Sequence, residues 1–246
     1  MTNDYWDNSV ELDKLAELSI KTGVALQPGQ DLIITSPLEA APLVRRLAFH
    51  AYKQGCGIVT PLYTDPKVTL LRYENAQKNS FDKATDWLFE GIGTAFDNNT
   101  ARLAIVGEDP MLLSGQDAED IGRANQAVSK ASSPVRERIT RFDVNWNIIA
   151  WPGTQWAKRV FPNMASEVAQ KELAAAIFKA SRVDGPDPGG AWRAHNANLR
   201  KRTDWLNSKG FAALRFYGEG TDLTVGLADG HEWMGGASVA RNGVTC

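Results

Sequence analysis

The stretch from Asp184 to Leu227, DGPDPGGAWRAHNANLRKRTDWLNSKGFAALRFYGEGTDLTVGL, separates two parts of the chain that have different character. Its first seven residues hold two prolines and three glycines, a composition that interrupts regular structure. One stripe of positions then recurs at spacings of three and four, which predicts a helix. The stripe consists of Trp192, His195, Leu199, Arg202 and Leu206. We therefore expect a domain boundary here, at the start of the stretch.

Two runs rich in β-branched and aromatic residues follow the predicted helix. They are Ala212–Tyr217 and Asp222–Leu227, and Gly218-Glu219-Gly220 separates them, which predicts two strands joined by a turn. Gly230 predicts a further hairpin turn. Asn242-Gly243 is a stronger hairpin signal, because both turn positions must accept positive φ. Only three residues come after Gly243, so we expect the natural chain to continue.

Before this stretch, short apolar runs alternate with helical patterns. Such alternation predicts right-handed crossovers and an α/β fold, with a parallel sheet covered by helices on both faces. The predicted strands are Asp31–Thr35, Gly57–Tyr63, Ala101–Val106 and Trp146–Ala150. We expect residues 1–183 to form this α/β domain. Residues 184–246 would form the linker, helix and incomplete β portion of a second, mainly β domain.

Three predicted helices carry clear signals at their first residues. Ser36 and Glu39 have the spacing of a capping box, with Pro37 between them at the first helical position. Asp65 followed by Pro66 predicts a second capped helix. Ser166 is the expected N-cap of a third helix, which runs to Ala180.

Composition excludes several classes of function. The net charge of −2 gives no electrostatic reason to expect nucleic acid or an anionic membrane as a partner. No apolar run approaches the ~18–20 residues that span a bilayer. The two cysteines, Cys56 and Cys246, lie far apart and form no disulfide framework, so we expect a reducing cytoplasm.

The residues themselves identify no catalytic, cofactor-binding or metal-binding position. His50 and His195 fit better as side chains satisfied by a neighbour. His231 and Glu232 form the one group that resembles metal ligands, but adjacent strand residues point to opposite faces. Neither a His-Glu-x-x-His motif nor a phosphate-binding loop is present. Cys56 is expected to pack as a small apolar residue.

An ordered set of short motifs along the whole chain resembles the M29 family of metallo-aminopeptidases. The set comprises Gly23-Val24-x-Leu26-x-Pro28-Gly29-Gln30, Trp151-Pro152-x-x-x-Trp156-Ala157, Asp187-Pro188, Ala191-Trp192, His195, Leu199, Arg202, Leu206-Asn207, Gly220–Leu227 and Trp233-x-Gly235-Gly236. The resemblance implies a homodimeric exopeptidase that removes N-terminal residues from short peptides. Two divalent metal ions (zinc, cobalt or similar) would supply a hydroxide by lowering the pKa of bound water from ~16 toward ~7.

The resemblance also implies that the metal ligands, which are Glu, His and Asp side chains in the family, lie beyond Cys246. We therefore expect this chain alone to be inactive and to hold no catalytic metal. The alternative is a stand-alone α/β domain that binds a small ligand at the carboxyl ends of its strands. In that case Ser36-Pro37, Thr64-Asp65-Pro66 and Gly107–Pro110 would line the site.

Overall fold

A computed structural model of the chain describes Trp6 and residues 9–246, and these residues form two compact units. The first unit contains the described residues up to Pro188 together with Val239–Cys246, and the second contains Gly189–Ser238. The sequence placed a single boundary at residue 184, so the two divisions differ for residues 184–188 and for the last eight residues. The assignment of 184–246 to a catalytic domain stays a prediction.

The first unit is built on a four-stranded parallel sheet. Its strands are β1 (Leu32–Pro37), β2 (Val59–Thr64), β3 (Ala101–Val106) and β4 (Trp146–Ala150), in the order β2-β1-β3-β4. Every neighbouring pair is parallel, so the predicted fold class is confirmed. All four predicted strands exist, and their ends differ from the prediction by at most two residues.

Helices cover both faces of this sheet. The first unit contains α1 (Val10–Leu18), which continues as a π-helical turn to Gly23, and then, in chain order, α2 (Ala41–Lys53), α3 (Pro66–Asn75), α4 (Asp86–Asp97), α5 (Ala118–Thr140), α6 (Thr154–Val160) and α7 (Ser166–Ala180). Leu32 and Ile34 of β1 belong to a core cluster with residues of α1, α2 and α7. Ile33 points to the opposite face and packs with Phe96 of α4 and Val135 of α5. This alternation follows from the two-residue period of a strand.

One predicted helix cap is confirmed and two are wrong, although the helix predicted from Ser166 to Ala180 exists with those bounds. Asp65 caps α3, because its carboxylate accepts a hydrogen bond from the backbone N–H of Lys67. Ser36 instead lies in β1, and its hydroxyl donates to the carbonyl of Pro37. The chain stays extended through Pro37 because β1 pairs with β2 as far as that residue, and α2 begins only at Ala41. Ser166 is the first residue of α7 and makes no capping hydrogen bond.

A network of buried amide side chains lies at the amino end of the sheet. Asn145, which is fully buried, donates to the carbonyl of Val24 at 2.6 Å, and Gln30 donates to the Asn145 Oδ1 at 2.7 Å. Gln30 also donates to the backbone carbonyl of Asn99 at 2.9 Å. Each buried donor is therefore satisfied, which is the condition under which a polar network stabilises a core.

The second unit contains α8 and a two-stranded antiparallel sheet. Helix α8 spans Pro188–Lys209, and the sheet pairs β5 (Ala213–Gly218) with β6 (Thr221–Gly226). The hairpin predicted around Gly218-Glu219-Gly220 is confirmed. The hairpin predicted at Gly230 is wrong, since no strand follows β6 within the described residues. The side chain of Asn207 makes two hydrogen bonds to the backbone of Trp233. These bonds satisfy the backbone N–H and carbonyl of Trp233 without strand pairing.

The two faces of the β5–β6 sheet differ in polarity. Register places Leu214 opposite Val225 and Phe216 opposite Leu223, so these four residues share one face. Phe216, Leu223 and Val225 are 51%, 52% and 42% exposed. The opposite face carries Arg215, whose guanidinium makes two hydrogen bonds of 2.9 Å to Asp222. The second unit therefore presents an uncovered apolar surface.

Candidate functional site

The carboxyl edge of the parallel sheet is the place where an open α/β fold usually binds a ligand. Glu39 lies there, just after β1, and its exposed carboxylate reaches the chain that follows β4. The carboxylate accepts hydrogen bonds from the Thr154 N–H at 3.0 Å and from the Thr154 hydroxyl. Because Thr154 is the first residue of α6, Glu39 satisfies a donor that the helix itself leaves unpaired.

Gln170 of α7 completes this contact from the buried side. Its Nε2 donates to Glu39 at 3.0 Å and to the carbonyl of Pro152 at 2.9 Å. The three side chains come from positions more than a hundred residues apart or from separate helices, so no local pattern could have predicted their meeting. The sequence suggested Glu39 as part of a capping box, and the structure shows that it serves a different helix.

The loops after β3 and β4 contact each other through their backbones. A Cβ on Gly153 would lie 1.8 Å from the carbonyl oxygen of Gly107, and a Cβ on Gly107 would lie 2.3 Å from the carbonyl oxygen of Trp151. Both distances are far below any real Cβ contact. Glycine is therefore required at both positions, and it holds the two loops against each other at the edge of the sheet.

In the loops proposed to line a small-ligand site, these polar side chains contact other groups of the protein. The Asp65 carboxylate caps α3, and the Asp109 carboxylate accepts from the Met111 N–H at 3.0 Å and lies 3.7 Å from the Arg159 guanidinium. The Thr64 hydroxyl donates to the carbonyl of Ser36 at 3.4 Å. These contacts are ordinary loop chemistry, and they do not favour the alternative of a stand-alone binding domain.

The three histidines lie on different elements. His50 of α2 is buried, and its Nε2 lies 3.0 Å from the Asp13 carboxylate, which also accepts from Arg46 at 3.1 Å. Burial raises the pKa of Asp13, but the hydrogen bonds and charges of His50 and Arg46 outweigh it and hold that pKa below its ordinary value. His50 is therefore a satisfied histidine that joins α2 to α1.

The other two histidines contact aromatic rings. His195 of α8 lies edge-to-face with Trp192 at 5.5 Å between ring centroids. His231 has its Nδ1 2.9 Å from the carbonyl of Ala228 and lies edge-to-face with Trp233 at 5.8 Å. Glu232 is exposed beside it. Within the part of the chain that the structure describes, no three His, Cys, Asp or Glu side chains converge in a way that could hold a metal ion.

Cys56 is unsuited to nucleophilic chemistry. Burial raises the pKa of its thiol to about 11, and the nearby charge of Asp31 contributes in the same direction. The thiol is therefore protonated at neutral pH, and it packs in the first core cluster as the sequence indicated.

The hydrogen bonds of Glu39 should contribute measurably to the stability of the first unit. Glu39→Ala should lower the free energy of unfolding of the first unit by about 1 kcal/mol, as expected for loss of a helix cap. Glu39→Gln keeps one acceptor oxygen and should cost about half as much. Exposed Glu90 on α4 provides the control, since Glu90→Ala should stay within ~0.5 kcal/mol of wild type. Urea unfolding curves measure all three; a Glu39→Ala chain as stable as the control would show that the contact contributes nothing.

Known proteins match this chain over nearly its whole length. The family model described as "Thermophilic metalloprotease (M29)" matches residues 8–246. Aminopeptidase T of Thermus thermophilus is 45% identical over 235 residues, covering 96% of this chain and 58% of the relative. Aminopeptidase T of Thermus aquaticus is 46% identical with the same coverage, and aminopeptidase 2 of Geobacillus stearothermophilus is 37% identical over 95% of this chain and 57% of its own length.

A solved structure shares the fold as well as the sequence. Wild-type AmpT from Thermus thermophilus superimposes with a TM-score of 0.89 at 43% identity, covering 96% of this chain and 58% of that chain. The chain thus spans less than three fifths of the length of these relatives. No helix among the described residues is long and apolar enough to cross a membrane. Since the family model covers nearly every residue, the chain belongs to the M29 family of thermophilic metalloproteases.

Proposed function

We propose that this chain is the N-terminal portion of a metal-dependent aminopeptidase that removes N-terminal residues from short peptides. The observation that carries the proposal is the match of residues 8–246 to the M29 family model, with relatives named aminopeptidases at up to 46% identity. In this scheme the parallel-sheet unit is a scaffold. Its carboxyl edge is fixed by the Glu39 contact and by the packing of Gly107 against Gly153.

The described residues do not form a binding site for the metal ions of such an enzyme. His195 and His231 lie on separate elements, each directed at an aromatic ring, and no convergent group of ligands is found there. We therefore assign the ligands for two divalent ions to a part of the longer protein that this chain does not include. The uncovered apolar face of the β5–β6 sheet supports this assignment, because apolar faces are normally buried in a finished fold.

The finer properties of the enzyme belong to the same proposal. A homodimer fits the family resemblance, and a cytoplasmic location fits the two separate, unpaired cysteines. Dimer contacts would come mainly from the longer protein's second domain, so equal oligomeric states of this chain and an extended one in light scattering would argue against that part of the proposal.

The experiment that tests the activity uses a chain extended to the length of the M29 relatives. It should hydrolyse a leucyl chromogenic substrate and should leave the same substrate untouched after N-acetylation, because an aminopeptidase requires a free α-amino group. Removing divalent metal with a chelator should abolish the hydrolysis, and adding metal back should restore it. Cleavage of the acetylated substrate, or full activity in chelator, would contradict the proposal.

A further inference from the structure

The last eight residues return to the first unit after the chain has passed through the second. Within this return segment, Val239–Cys246, the Ala240 N–H donates to the carbonyl of Val244 at 2.8 Å, and Val239 bridges Thr245. The segment docks on the first unit through the Arg241 N–H, which donates to the carbonyl of Phe142 at 2.6 Å. These contacts form a small closed turn with Asn242-Gly243 at its tip.

Asn242 inserts its side-chain amide into the buried network at the amino end of the sheet. Its Nδ2 donates to Asn99 Oδ1 at 2.8 Å and to Asn145 Oδ1 at 3.0 Å. Asn145 cannot present a donor instead, because its own Nδ2 donates to the carbonyl of Val24 at 2.6 Å and to Gln30 Oε1 at 3.2 Å. The network therefore presents two acceptor oxygens to the side chain at position 242, and Asn242 supplies a donor to both.

Asn242-Gly243 is also the one Asn-Gly pair in the sequence. In such a pair the backbone nitrogen of the glycine can attack the asparagine Cγ. A C–N bond forms, the Cγ–Nδ2 bond breaks, and ammonia leaves to give a succinimide. Addition of water to the succinimide yields aspartate or isoaspartate, with no change of oxidation state. Glycine permits this attack because it lacks a side chain that would crowd the ring.

The docked turn opposes this reaction at both reacting groups. The Gly243 N–H donates to the carbonyl of Ala240 at 2.9 Å, which holds the attacking nitrogen in the turn. The side chain is fixed by its two donated bonds and by the Val244 N–H, which donates to Asn242 Oδ1 at 3.2 Å. Reaction therefore requires the segment to open first.

We propose that Asn242 is a deamidation site whose modification releases the return segment from the parallel-sheet unit, and that docking protects the site. A carboxylate at position 242 would face the amide oxygens of Asn99 and Asn145 without a donor to either. Lost hydrogen bonds and like partial charges at about 3 Å both favour the undocked state. Loss of the amide therefore shifts the equilibrium of the segment away from the docked position.

The first measurement compares deamidation in the native chain and in the chain unfolded by guanidinium, at the same pH and temperature. Peptide mapping by mass spectrometry follows the fraction of Asn242 converted. We expect conversion in the native chain to be at least about tenfold slower, since it needs local opening. Equal rates in the two states would overturn the protection.

The second measurement uses Asn242→Asp as the modified state and Asn242→Ala as its uncharged control. Hydrogen exchange of the Arg241 amide reports docking, exchange of the Ala240 amide reports closure of the turn, and exchange of the Ile34 and Leu103 amides reports the folded sheet. We expect Asn242→Asp to speed exchange in the segment by about tenfold or more, and Asn242→Ala to speed it less. Wild-type exchange in the Asp variant, a larger effect in the Ala variant, or equal loss of protection in the sheet would each overturn the local release.

Discussion

Replacing Gly153 by alanine is expected to lower the free energy of unfolding of the parallel-sheet unit by about 3 kcal/mol or more. The added Cβ would stand 1.8 Å from the carbonyl oxygen of Gly107. Neither partner is the end of a flexible side chain, so the clash can be relieved only if one backbone loop moves away. That movement would also disturb Thr154, the next residue, whose N–H is bonded to Glu39.

The same change at Gly91 is the matched control. Gly91 is an exposed residue inside α4, and an added Cβ would meet no atom within 4 Å. Gly91→Ala should therefore stabilise the unit by about 0.5–1 kcal/mol, the difference between glycine and alanine inside a helix. Urea unfolding of the two variants should move in opposite directions from wild type. A Gly153→Ala chain as stable as the Gly91→Ala chain would show that the loop contact tolerates separation.

The sequence predicted the parallel sheet because its strands are recognisable by local composition. Ala101–Val106 and Trp146–Ala150 are short apolar runs between helices, and they became β3 and β4 with the predicted bounds. The residues that match the M29 motifs also have physical roles in the first unit. Gly23 leaves room for the Asn147 side chain, and Trp151 is buried against Trp6 at 4.7 Å between ring centroids.

Local sequence patterns did not predict the contacts that side chains make with residues distant in the sequence. The spacing of Ser36 and Glu39 is a sound capping signal, but pairing of β1 with β2 keeps the chain extended and frees Glu39 for Thr154. Asn242-Gly243 was recognised as a turn, and its contact with Asn99 and Asn145 across the fold carried no local signal. The sequence therefore described elements well and described the contacts between them poorly.

The 246-residue chain is expected to be catalytically silent. A hydrolytic metal site needs about three protein ligands per ion, held in place by further hydrogen bonds. The described residues bring no such group together, and the adjacent His231 and Glu232 differ in surroundings, with the imidazole on an aromatic ring and the carboxylate exposed. Enzymes exceed the uncatalysed rate by ~10⁶-fold or more, so the difference between this chain and an active M29 protein should be very large.

The parallel-sheet unit should fold even though the chain is expected to be inactive. The three core clusters of the described residues are all made by residues of the first unit, and its buried amide network is satisfied by that unit alone. A cooperative unfolding transition in urea would distinguish a folded but inactive chain from a chain that has failed to fold. With this control, an absence of activity can be attributed to missing catalytic groups and not to a failure to fold.

The most direct measurement is a parallel assay of this chain and of a chain extended to the length of its M29 relatives. Both are dialysed against divalent metal, analysed for bound metal, and assayed with a leucyl chromogenic substrate. We expect about two ions and measurable turnover in the extended chain, and in the short chain no retained metal and a rate at least about 10³-fold lower. Near-stoichiometric metal and turnover in the short chain would contradict this assignment, and His231 and Glu232 would then be the first residues to replace.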